Sequence, residues 1–131
     1  MIADPVILAT PAILHHDDRY TVWHAGVVHG PPGLVVVALD IDSTEPTDWN
    51  LNPSSHPVDA YIEAPELPWR VVGENGYGAD RHTLKFHGRF PGQLHGKRAF
   101  SPITGEQLAG ARLHIEIHPL DLHLTIELAP Q

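Results

Sequence analysis

Residues 111–130 read ARLHIEIHPLDLHLTIELAP. Leu113, Ile115 and Ile117 alternate with His114, Glu116 and His118. Beyond Pro119-Leu120, Leu122, Leu124, Ile126 and Leu128 alternate with His123, Thr125 and Glu127. Side chains on a strand point to opposite faces in turn, so a period of two on both sides of a turn reads as an antiparallel hairpin. One face is aliphatic and needs burial. The other gathers three histidines with carboxylates. A turn at Pro119-Leu120 sets Glu116 across from His123, His114 across from Thr125 and His118 across from Asp121, with opposed Cβ atoms roughly 4.5–5.5 Å apart.

The rest of the chain is punctuated in the same way. Thirteen prolines and eleven glycines in 131 residues leave intervals too short for ordinary helices. VILAT (6–10) and AILHH (12–16) flank Pro11. YTVWHAGVVH (20–29) and LVVVALDI (34–41) flank the turn residues His29 to Gly33. Leu34 to Leu39 is unbroken apolar sequence, which fits a central strand buried on both faces or one covered by a partner subunit. VDAYIEA (58–64), PWRVVG (68–73), HTLKFHG (82–88) and a weaker segment from Lys97 to Phe100 supply further strands. GENGYGAD (73–80) and GRFPGQLHG (88–96) read as connectors. Thr104 to Ala109 is the one plausible helical turn, with Gly110 as its stop; a β-turn followed by a short strand fits equally well. The expected fold is one all-β domain over residues 1–131, an antiparallel sandwich or small barrel of about eight or nine short strands.

Composition narrows the function classes. There is no cysteine, so disulfides and thiolate metal sites are excluded. The first residues lack the basic and then apolar pattern of a secretory leader, and no apolar run approaches membrane-spanning length. A soluble cytoplasmic protein is expected. Net charge is −8, unevenly spread: residues 1–80 hold 12 acidic and two basic side chains, whereas residues 81–131 hold four acidic and six basic ones, all six between Arg81 and Arg112. The acidic total argues against a nucleic-acid partner, because phosphate neutralisation needs an uncompensated basic surface.

No nucleophile elbow or phosphate-binding glycine loop is present. Asp40, Asp42, Thr44 and Asp48 suggest a calcium loop, but Glu45 and Leu51 stand where an EF-hand counted from Asp40 needs glycine and glutamate. Histidine is abundant, with eleven in the chain. Imidazoles four residues apart on a flat strand stand about 13 Å apart, so His114 and His118 do not share one ion. Glu116, His118 and His123 form the candidate metal set: two imidazoles and a carboxylate, which suits non-haem iron or zinc. A solvated sheet face alternating His, Glu and Asp carries the same pattern.

Trp49 and Trp69 flank loops and, with His87 and His114, are the candidate ligand contacts; Trp23 sits in a strand and is expected in the core. The leading expectation is a non-enzymatic binding module for a protein or small-molecule partner. It is expected to be a homodimer with Val35 or Val37 near the subunit contact. The alternative is a small metal-dependent or acid–base enzyme using the His/carboxylate cluster, with a divalent metal as the possible cofactor.

Overall fold

The computed structural model describes residues 4–30, 33–45, 58–65, 71–72, 85–88, 91–100 and 103–130. Trp49 and Trp69 lie outside the described residues. The described residues form ten strands: β1 (Val6–Ala9), β2 (Ala12–His16), β3 (Tyr20–Gly30), β4 (Leu34–Ser43), β5 (Val58–Glu63), β6 (Val71–Val72), β7 (Lys85–Gly88), β8 (Gly92–Phe100), β9 (Arg112–Ile117) and β10 (Leu122–Glu127). They build two antiparallel sheets. One runs β1-β3-β4-β8-β7, with β2 also paired to β3, and the other runs β10-β9-β5-β6. The fold is an all-β sandwich.

The hairpin that opened the reading is present. Leu122 pairs with Ile117, His123 with Glu116 and Thr125 with His114. His118 to Leu120 make a 3₁₀ turn and Asp121 takes a left-handed conformation at φ 52°. The Asp121 N–H closes the turn on the His118 carbonyl at 3.1 Å. Short polar Asp is one of the few residues that adopts this conformation readily.

On the other sheet, β1 and β2 share one flank of β3. β1 pairs with Val27 to His29 and β2 with Thr21 to His24. Pro11 lies between them and has no N–H to donate to a ladder, so the edge breaks there. β3 is itself bulged: its pairing with β4 slips between His24 and Val27, where Gly26 adopts φ 114°. That positive φ favours glycine.

Burial follows the period of two. Val35, Val37, Leu39 and Ile41 of β4 face Val58, Ile62, Leu113, Ile115 and Ile117 of the other sheet in one continuous hydrophobic cluster, all of them fully buried. The Leu128 N–H donates to the Ala111 carbonyl and extends the β9–β10 ladder by a rung, and the Ala129 N–H donates to the Leu8 carbonyl and ties the two sheets at one edge, each at 3.0 Å.

Several expectations change. β4 is central, as the apolar run implied, but within Leu34 to Leu39 only Val35, Val37 and Leu39 are fully buried, while Val36 and Ala38 are half-buried on the outward face. Val35 and Val37 point into the sandwich, so neither stands at a subunit contact. Trp23 also faces outward: it pairs with Asp40, is half-buried, and donates its indole N–H to Asp42 Oδ2 at 3.0 Å. The segment read as a connector from 88 to 96 is in large part β8, nine residues long. Thr104 and Gln107 close one turn reciprocally, the Gln107 N–H on Thr104 Oγ1 at 3.2 Å and the Thr104 N–H on Gln107 Oε1 at 3.0 Å. Gly110 ends it at φ 72°. Among the described residues, no helix is long and apolar enough to cross a membrane.

Candidate functional site

Inward Val58, Ala60 and Ile62 on β5 force Asp59, Tyr61 and Glu63 to the other side. The same alternation on β9 sends Arg112, His114 and Glu116 outward. The β5–β9 register then sets Asp59 across from Glu116, Tyr61 across from His114 and Glu63 across from Arg112. With His123, Thr125 and Glu127 of β10 on the far side of β9, the outward face of the four-stranded sheet becomes a lattice of imidazoles and carboxylates.

Two groups form on it. In the first, His118 Nε2 meets Asp59 Oδ2 at 2.8 Å. One donor atom each from Asp59, Glu116 and His118 lies within 4.8 Å of the others. Asp59 and Glu116 are half-buried and His118 is exposed at the hairpin turn, so the group is wedged at its base and open above. In the second, His114 Nδ1 meets His123 Nε2 at 2.9 Å, and His114 Nε2 meets Glu63 Oε1 at 3.3 Å. A carboxylate only accepts, so His114 Nε2 is the donor to Glu63, and the ring tautomers set which imidazole donates between His114 and His123. The His114 ring stacks on buried Tyr61 at 4.8 Å between centroids, with planes 15° apart. Arg112 and Glu127 close that end of the face with an exposed ion pair at 3.2 Å.

His114, Glu116, His118 and His123 therefore share one face, in two sets. Glu116 and His118 come together, but the third donor beside them is Asp59. His123 stands across from Glu116 in the ladder, yet its Nε2 is engaged by His114. The reason is β5: once it pairs with β9, it supplies a carboxylate on the side opposite β10. The alternation in VDAYIEA marked Asp59, Tyr61 and Glu63 as one face of a strand. Nothing in it named β9 as the neighbour. His87 lies on β7, across from His95 of β8.

A cleft of about 680 Å³ lies elsewhere, at the β2–β3 turn, lined by residues that include His16, Asp17, Arg19, Tyr20, Asp42 and Ser43. It contains none of the residues of the two clusters, which occupy an open sheet surface. Two carboxylates and one imidazole make a mixed oxygen and nitrogen donor set that suits manganese, iron or zinc. In comparison with known proteins, no family model matches the chain, nor does any curated protein or solved structure.

Proposed function

We propose that the chain is a non-enzymatic binding module whose recognition surface is the outward face of the four-stranded sheet. A divalent cation seated on Asp59, Glu116 and His118 anchors a small-molecule or protein ligand there. The observation that carries this reading is the convergence of three donors from β5, β9 and the hairpin turn to within 4.8 Å. Protein ligands on one open side leave the remaining coordination positions to a partner's oxygen or nitrogen atoms.

The test is metal analysis of untagged protein, followed by Mn²⁺ and Zn²⁺ titration. One site is expected. Glu116→Gln and His118→Ala should each weaken it by more than the roughly 10–100-fold typical of losing an outer hydrogen-bond partner. Neither change touches the core, so thermal midpoints should barely move. Binding that is absent, or indifferent to both changes, removes the proposal.

A second reading, a small metal-dependent or acid–base enzyme, is favoured by the Glu63–His114–His123 chain beside the same group, since such a chain orients an imidazole for proton transfer. Turnover of chromogenic carboxyl or phosphate esters that vanishes in Glu116→Gln and His123→Ala would put this reading in place of the first.

A further inference from the structure

His114 of β9 is held on three sides. Its Nε2 stands 3.3 Å from Glu63 Oε1, its face stacks on Tyr61 across the β5–β9 ladder, and its Nδ1 stands 2.9 Å from His123 Nε2 of β10. A carboxylate only accepts, so the Nε2 proton is committed to Glu63, and the neutral ring turns its Nδ1 lone pair toward His123. A carboxylate behind one ring nitrogen is how proteins fix the tautomer and raise the basicity of a metal-ligating histidine. The stack, with planes 15° apart, fixes where that lone pair points. The His114 side chain is 13% exposed and His123 is exposed, so the pair is anchored below and open above.

His123 approaches along a diagonal of the β9–β10 ladder, because its direct partner is Glu116 and that of His114 is Thr125. Diagonal neighbours lie roughly 7–8 Å apart, within reach of two aromatic side chains. The ring centroids are 5.0 Å apart and the planes are tilted by 57°, so the rings meet nitrogen to nitrogen. The 2.9 Å between those nitrogens selects the ion. Two nitrogens each about 2.0–2.1 Å from one ion stand about 2.9 Å apart when the angle at the ion is a right angle, and about 3.4 Å apart at the tetrahedral angle. Right angles belong to square-planar or tetragonal Cu²⁺ and Ni²⁺ centres, and Cu²⁺ heads the affinity order. Tetrahedral Zn²⁺ needs the nitrogens about half an ångström further apart. Ca²⁺ and Mg²⁺ need oxygen donors. Glu63 supplies negative charge beside the pair, and Arg112, across from Glu63, is taken up by Glu127 at 3.2 Å.

We infer that His114 Nδ1 and His123 Nε2 form a Cu²⁺ or Ni²⁺ site on the outward face of the four-stranded sheet, with Glu63 as the positioning residue behind His114. In the ion-free chain the proton between the two nitrogens sits on His123 Nε2. When the ion enters, the His123 proton is carried on Nδ1 instead, and both lone pairs turn to the metal. Water completes the coordination. The site shares no ligand with the Asp59, Glu116 and His118 group and does not depend on it.

The experiment uses the untagged full chain carrying Glu116→Gln and His118→Ala, so that only the new site is read. Long-range ¹H–¹⁵N correlation of the ion-free chain in mildly alkaline solution should show His114 as the Nε2–H tautomer. Cu²⁺ titration should then show one ion, with two equatorial imidazole nitrogens in its electron paramagnetic resonance spectrum. Glu63→Gln still accepts the Nε2–H. It should keep both nitrogens while weakening binding roughly 10–100-fold, as losing the carboxylate behind a ligating histidine does. His123→Ala removes an exposed ligand without touching the core, and should erase the two-nitrogen signature and weaken binding further than Glu63→Gln does. An Nδ1–H tautomer at His114, no stoichiometric Cu²⁺, or Cu²⁺ affinity unchanged in folded His123→Ala would each overturn the site.

Discussion

Asp17 holds the β2–β3 turn together through one carboxylate. Its Oδ1 accepts the backbone N–H groups of Arg19 and Tyr20, each at 2.8 Å, and its Oδ2 meets His15 Nε2 at 2.6 Å. The His15 hydrogen bond first, and then the two backbone bonds, lower its pKa from 3.8 to about 2. A carboxylate depressed on folding adds stability above its unfolded value and loses it as pH falls through the folded one. Wild-type protein should therefore keep part of its acid stability between pH 3.8 and about 2, and Asp17→Asn should lose that part. Urea midpoints measured across this range check it. His24 works in the opposite sense. It is 1% exposed, its Nδ1 accepts the Gly26 N–H at 3.0 Å, and burial pushes its pKa below 6.5. The unfolded chain then binds more protons, so stability is complete above 6.5 and falls as pH drops below it, until the folded pKa is reached. Thermal midpoints of His24→Leu should show a flatter profile over that window. They should start lower, since an orphaned N–H at the bulge costs about 1–3 kcal/mol.

Strands were readable in the sequence wherever both faces carried side chains. The β9–β10 hairpin, including Glu116 across from His123, follows from alternation alone. Its core can be tested by truncation: Ile115 is fully buried between Ala60 of β5 and Leu124 of β10. Ile115→Ala should cost about 2–5 kcal/mol in denaturant unfolding, whereas His123→Ala on the opposite face should cost far less. Lys97 to Phe100 was legible as a weak strand, but the first half of β8 escaped the reading because Gly92 and Gly96 fall on the same face as Leu94 and interrupt the apolar period. Gly96 pairs with Leu39 and Gly92 with Ser43, so ladder bonds hold a strand whose side-chain pattern is blank there. The site was half visible for a related reason. Residues on one hairpin can be paired from their spacing, but Asp59 reaches His118, and Glu63 reaches His114, only through strand neighbours separated by 59 and 51 residues. Alternation states which residues share a face, and tertiary pairing decides which faces meet.

The assembled sandwich leaves an aliphatic row across four strands of its larger sheet. Ile7 pairs with Val28, Val28 with Val36, and Val36 with Ala99, while Ile13 pairs with Trp23 beside them. Ile13 is 68% exposed and Ile7 49% exposed, large values for aliphatic side chains on one face. Contiguous apolar surface of this kind marks interaction sites on proteins. The homodimer expected from the sequence would have this row, and not the fully buried Val35 or Val37, as its contact, since an isologous dimer needs one self-complementary patch on the surface. Ile7→Lys with Ile13→Lys should shift the sedimentation coefficient from dimer to monomer. It should leave the thermal midpoint of the fold nearly unchanged, because exposed side chains open no cavity. Val35→Ala is the matched control: a fully buried position should lower stability and leave the association state of the folded protein intact. A wild-type chain that sediments as a monomer at high concentration would leave the row as ordinary exposed surface, and the recognition face on the smaller sheet would then act one copy at a time.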